Sequence, residues 1–149
     1  MKTLHFIFIV AIYSYSNFVI SQEVFEKEYV SFEEFLNEQN NKISKIQNDI
    51  SREEVMEIMG NSIIVKIPKT GKMKELNQLF KQPEFIDEKH QKAKNNFFVL
   101  WFFSTPKDQN GIISKNECTP VVIKENIVIG KGQQFYFTYM KKNMLPVFK

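Results

Sequence analysis

Cys118 is the only cysteine in the 149-residue chain, and a thiol becomes a nucleophile only when a nearby base helps it ionise. Bases are scarce. Of the two histidines, His5 lies in the N-terminal apolar run and His90 in a charged stretch that suggests no partner. Cys118 is therefore read as a packing residue, since a buried cysteine behaves as a small hydrophobe. A single histidine and a single cysteine beyond the N-terminal run cannot complete a zinc set. Asp108-Gln109-Asn110-Gly111 comes nearest to a calcium loop and reads better as a plain turn. No phosphate loop, dinucleotide fingerprint or Gly-x-Ser-x-Gly element occurs. The pairs Glu33-Glu34 and Glu53-Glu54 fall in first helical turns, where the helix dipole and capping account for them. The expectation is a protein with no catalytic, metal-binding or cofactor-binding residue, and hence not an enzyme.

The elements that would position such residues follow an exported leader. Lys2, an apolar run from Leu4 to Tyr13, and the polar Ser14-Tyr15-Ser16-Asn17 have the layout of a secretory signal. Val19 and Ser21 suit the −3 and −1 positions, which places a cut after Ser21. A permanent membrane anchor is the alternative, but Leu4–Ile20 is shorter than the ~20 apolar residues a spanning helix needs. With no cysteine near the cut to carry a lipid, the expected product is periplasmic or secreted and not a lipoprotein. Losing Lys2 leaves 19 Lys and Arg against 17 Asp and Glu. With both signs interspersed, no basic stripe marks a nucleic-acid surface.

One domain is expected, because the chain is long enough for a single core and cannot staple itself with an intramolecular disulfide. Residues 1–21 form the signal, 22–30 a leader, 31–140 the domain and 141–149 a basic and apolar tail. Ser31 and Glu34 make a capping box for a helix over about 32–47, with Phe32, Phe35, Leu36, Ile43 and Ile46 on one face. Ser51 and Glu54 repeat the box for a short helix that carries Val55 and stops at Gly60. Ile50 is the expected staple before that cap.

Ile63–Ile67 reads as a strand, Glu75–Phe80 as one extra helical turn, and Glu84–Ile86 as a brief strand before a polar turn over 87–96. Phe97–Phe103 is expected as the central strand, covered by helices on at least one side. Pro120–Lys124, the turn Glu125-Asn126 and Ile127–Ile129 form a hairpin. Gly130-Lys131-Gly132 is a bulge or bend, and Phe135, Phe137 and Tyr139 alternate with Tyr136 and Thr138 along a last strand. The class is α+β, with two N-terminal helices on one face of a three- to four-stranded antiparallel sheet.

The element Ile50-Ser51-Arg52-Glu53-Glu54-Val55-Met56-Glu57-Ile58-Met59-Gly60 resembles the signature of the BamE (SmpA/OmlA) superfamily of bacterial envelope proteins, hydrophobic-Ser-x-x-x-Val-x-x-x-hydrophobic-Gly. A second block, Asn116-Glu117-Cys118-Thr119-Pro120-Val121-Val122-Ile123 followed by Ile127-Val128-Ile129-Gly130-Lys131-Gly132, is similar to one found in an uncharacterised branch of that superfamily. Three departures from the pattern stand out. Asp49 stands where a glycine is usual, Lys131 replaces a tryptophan between the late glycines, and 68–96 is longer than the minimal fold needs. The resemblance implies a two-helix, three-strand fold and a place in the cell envelope. Its motif positions here are Ser51, Val55, Gly60, Glu117, Cys118, Thr119, Pro120, Gly130 and Gly132.

Two functions remain open. The first is a non-enzymatic envelope protein that binds another protein, through a sheet edge or through Tyr136 and Tyr139 of the last strand with Lys141, Lys142 and the tail. The second is a carrier or sensor holding a small apolar ligand between helices and sheet, which needs an apolar pocket of several hundred Å3. The sequence leaves the oligomeric state open.

Overall fold

The computed structural model describes residues 23–69, 71, 75–89, 97–107 and 112–143. The expected signal and its cut, His90, the Asp108–Gly111 turn and the tail beyond Asn143 lie outside the described residues. Helix α1 (Phe32–Lys45) starts where the Ser31 hydroxyl accepts the Glu34 N–H at 3.2 Å. The Glu34 carboxylate reaches one residue further back than expected, to the Val30 N–H. Helix α2 (Arg52–Met59) has the full reciprocal box: Ser51 Oγ accepts from Glu54 N, and Glu54 Oε2 accepts from Ser51 N at 2.7 Å. It stops at Gly60 with φ +76°, a conformation that costs glycine little.

Among the described residues, seven strands form two sheets. β1 (Phe25–Glu28), β2 (Ile63–Ile67) and β3 (Leu76–Phe80) make the smaller, in the order β1-β2-β3. β1 and β2 run parallel because α1 and α2 carry the chain back between them, whereas β2 and β3 are antiparallel neighbours. β4 (Phe85–Lys89), β5 (Phe97–Phe103), β6 (Cys118–Lys124) and β7 (Ile127–Lys131) make an antiparallel meander. A short 3₁₀ turn, Lys115–Glu117, precedes β6, and α3 (Gln133–Asn143) follows β7.

β5 explains why its sequence is apolar without interruption: both faces of the four-stranded sheet are covered. Phe97, Val99, Trp101 and Phe103 point into a cluster shared with Phe35, Val65, Ile67 and Phe80, so α1 and the small sheet close that side, with α3 beside them. Leu100 and Phe102 point the other way, toward Ile43, Ile46, Val55 and Met59 of the two N-terminal helices and their link. The β6–β7 hairpin turns at Glu125-Asn126 with φ +51° and +67°, two left-handed residues whose twist matches the flanking strands. Val122 pairs with Gly130 and Ile123 with Val128, which leaves Ile129 as a bulge.

Four expectations are corrected. The leader over 22–30 contains β1, a wholly exposed strand held by backbone pairing. The helical turn expected over Glu75–Phe80 is β3: so short a helix nucleates poorly, and the antiparallel partner β2 is adjacent. Asp87, placed in a polar turn, lies within β4. The last strand over Phe135–Tyr139 is α3. A strand beside β7 would need a free edge, and that edge is occupied: Asp49 N and Arg52 N donate to Val128 O and Asn126 O, and Val128 N donates to Ile50 O. Among the described residues the architecture is therefore α+β with three helices and two sheets, not two helices on a single sheet.

Candidate functional site

The two sequence blocks meet in space. Ser51 forms an antiparallel bridge with Ile127, and Asn126 Nδ2 donates to Glu53 Oε2 at 2.7 Å. Asp49, where the BamE pattern has glycine, takes φ +71°, so the position demands the left-handed backbone that glycine gives freely. Val55 is fully buried and Ile50 packs against its cluster, as the expected staple should.

Glu117 is the polar centre of the second block. It is buried, and its carboxylate accepts the Lys107 N–H at 3.0 Å, the Ser114 N–H at 2.8 Å and the Ser114 hydroxyl at 3.0 Å. Its backbone carbonyl accepts the N–H groups of Ser104 and Thr105. A buried carboxylate must be satisfied in this way to be tolerated. Glu117 thus ties the β5–β6 connection to the start of β6. Thr119 continues the seam by donating to Ser104 Oγ at 2.8 Å.

Cys118 is 2% exposed and its thiol donates to Ser114 O. Burial, with the charges of Glu84 and Glu117 adding to it, pushes the thiol up to about 12. At neutral pH it carries almost no thiolate, the form that nucleophilic chemistry requires. Glu84 lies in the connection between β3 and β4. Burial pushes its carboxyl up to about 7, against the Lys81 N–H that it accepts and the Lys81 charge.

Pro120 is buried in β6 opposite Trp101, and its carbonyl accepts the Gly132 N–H at 2.8 Å. Gly132 turns the chain at φ +91° and its carbonyl receives the first α3 bond, from Tyr136 N. Gly130 is required by close approach: a Cβ there would stand 2.4 Å from the Phe135 ring. α3 therefore docks on a bare stretch of β7. Gln133 Nε2 fastens its first turn to Cys118 O at 2.9 Å.

Tyr136 and Tyr139 face inward. The Tyr136 ring meets Trp101 edge-on at 4.9 Å, and Tyr139 meets Phe97 at 5.3 Å. Behind Tyr136, Asp87 accepts the Trp101 indole N–H at 3.0 Å and pairs with Lys115, which also lies over the Trp101 and Phe85 rings. Lys141 and Lys142 are exposed. Phe137, which the alternating reading sets on one face with Phe135 and Tyr139, is 62% exposed on the outward side. The signal that identifies it is the helical stripe Phe135, Tyr136, Tyr139 and Met140, which turns inward and leaves Phe137 out. Lys131 was also missed as a structural group. It donates to the carbonyls of Ile43, Ser44 and Ile46, and so closes the C-terminal end of α1.

Among the described residues no group of three or more His, Cys, Asp and Glu side chains is placed to hold a metal ion, and no helix is long and apolar enough to cross a membrane. The described residues define a small α+β domain of two sheets whose conspicuous polar side chains are spent on its own joints. The sequence profile of the family described as "Protein of unknown function (DUF3192)" matches residues 61–138, just over half of the chain, and the chain belongs to that family. No curated protein and no solved structure matches it.

Proposed function

We propose that the protein is an exported, non-enzymatic binding module that recognises another envelope protein through the outer face of α3. The observation that carries this reading is the two-sidedness of that helix. Tyr136 and Tyr139 hold it from inside, while the exposed Phe137 and the exposed Lys141 and Lys142 stand outside with no acidic residue anywhere on the helix. An exposed aromatic one turn from Lys141, with Lys142 exposed at the end of the same helix, suits an acidic and partly apolar partner surface. The use of Ser51, Glu117, Cys118 and Gly130 in capping, tying, packing and close approach supports a role without chemistry. Membership of the BamE superfamily belongs to the same reading; it is supported by the succession of α1 and α2 before β2 to β7 and by the Ser51 cap at the joint. The ligand-carrier alternative is weakened by Tyr136, which fills the space over Trp101.

The test is covalent crosslinking in the native envelope followed by capture of the tagged protein. The wild type captures a reproducible envelope partner, and a Phe137→Ser, Lys141→Glu, Lys142→Glu variant that melts like the wild type loses it. Retention of the same partner by that variant would refute the α3 surface.

A further inference from the structure

The strand edges of this protein are guarded unequally. The outer edge of β7 is closed by the Asp49–Ser51 segment. β1 carries Glu26, Lys27 and Glu28 among its four residues, and β4 carries Asp87 and Glu88 among its five. Charged side chains on an edge are the usual defence against a further strand. β3 forms the other border of the three-stranded sheet and has no such defence: Leu76-Asn77-Gln78-Leu79-Phe80 contains neither charge nor proline. Asn77 and Leu79 are exposed on its outer face.

The residues of β3 and its two flanks are complementary to themselves when run antiparallel about Gln78. Gln78 then lies opposite Gln78, Asn77 opposite Leu79 and Leu76 opposite Phe80. One step further, the exposed Glu75 lies opposite the exposed Lys81, and this pairing occurs twice by symmetry. A two-fold contact requires this property, because the same patch must serve both copies. Neighbouring registers lose it. An axis at Leu79 sets Glu75 opposite Pro83 and Lys81 opposite Asn77; an axis at Asn77 sets Glu75 opposite Leu79.

We infer that β3 is a homodimerisation edge, on which the β3 strand of a second copy of this chain pairs antiparallel about Gln78. The two small sheets then join into one six-stranded sheet, β1-β2-β3 followed by β3-β2-β1 of the second copy. The contact covers the outer side of Leu79 and pairs Glu75 of each copy with Lys81 of the other. Five residues of edge make a small interface, so the dimer is weak and forms with rising concentration. This inference goes beyond the α3 reading and does not depend on it, since β3 and α3 lie on different elements and are altered by different substitutions.

Sedimentation velocity on the purified protein over a wide concentration range tests it. The wild type shifts from monomer to dimer as concentration rises. Glu75→Lys and Lys81→Glu each set like charges opposite one another twice per dimer and weaken association about tenfold. The double variant Glu75→Lys with Lys81→Glu restores association to near the wild-type value. Both positions are exposed, so thermal melts of all three variants should match the wild type. A wild type that stays monomeric at its highest soluble concentration would overturn the inference, and so would a dimer insensitive to both reversals or one that the double reversal leaves weak.

Discussion

The two sheets are built from similar strands and held by different forces. The four-stranded sheet is buried on both faces, and in β5 and β6 nearly every side chain from Phe97 to Phe103 and from Cys118 to Ile123 is inaccessible. The three-stranded sheet buries one face only, and its strand β1 is exposed along its whole length. Ion pairs reinforce β1 from the side: Lys27 with Glu38 of α1, and Glu26 with Lys66 of β2. Burial alone would raise the Glu38 carboxyl, but Lys27 and Lys42 outweigh it and hold the group below its ordinary range. Packing therefore fixes the larger sheet, while backbone pairing and screened charge hold the border of the smaller one.

Substitution at matched aromatic positions should expose the contrast most sharply. Phe102→Ala removes a fully buried ring from β5 and is expected to cost about 3–5 kcal/mol in chemical denaturation. Phe25→Ala, at a ring 53% exposed on β1, should stay within about 0.5 kcal/mol. Equal costs at the two sites would break the comparison. Gly130→Ala comes next, at about 1–3 kcal/mol, because the new methyl must displace the Phe135 ring. In a Phe135→Ala background the same change should cost much less, which a double-mutant cycle would read as coupling between β7 and α3.

The junction of the sheets offers a titration. Glu84 connects β3 to β4, and its folded pKa of about 7 lies above the ordinary 4.5. The folded state therefore binds the proton more tightly than the unfolded chain. Its contribution to stability is complete below about pH 4.5 and is lost as pH rises to about 7, a fall of about 1–3 kcal/mol over that window. Denaturation midpoints measured across that range should decline for the wild type and decline less for Glu84→Gln. The smallest effect belongs to β1: Glu38→Gln should cost less than about 1 kcal/mol, and less still at high salt.

What the sequence disclosed follows the same division. Local chemistry was legible where a few neighbouring residues decide the outcome: the Ser51 box, the Gly60 stop and the Glu125-Asn126 hairpin. β5 was legible because a strand buried on both faces has no polar positions. β1 was hidden because an exposed strand shows no apolar period and its partner β2 lies two helices away. β3 was hidden because Glu75, Leu76, Gln78 and Leu79 favour helix in isolation, and pairing with β2 overrode them. α3 was misread because Phe135, Phe137 and Tyr139 fit a period of two while Phe135, Tyr136, Tyr139 and Met140 fit a helix equally well. The occupied edge of β7 decided between them, and no local pattern displays it. For the candidate surface the consequence was an exchange of faces, with Tyr136 and Tyr139 inside and Phe137 outside.

Hydrogen exchange of the purified protein, resolved along the chain by mass spectrometry, tests the division between the sheets most directly. The amides of β5 and β6 should exchange only through global unfolding, those of β2 and β3 sooner, and those of β1 first, through local opening that leaves the larger sheet intact. Protection of β1 as strong as that of β5, or loss of both in a single event, would contradict the account.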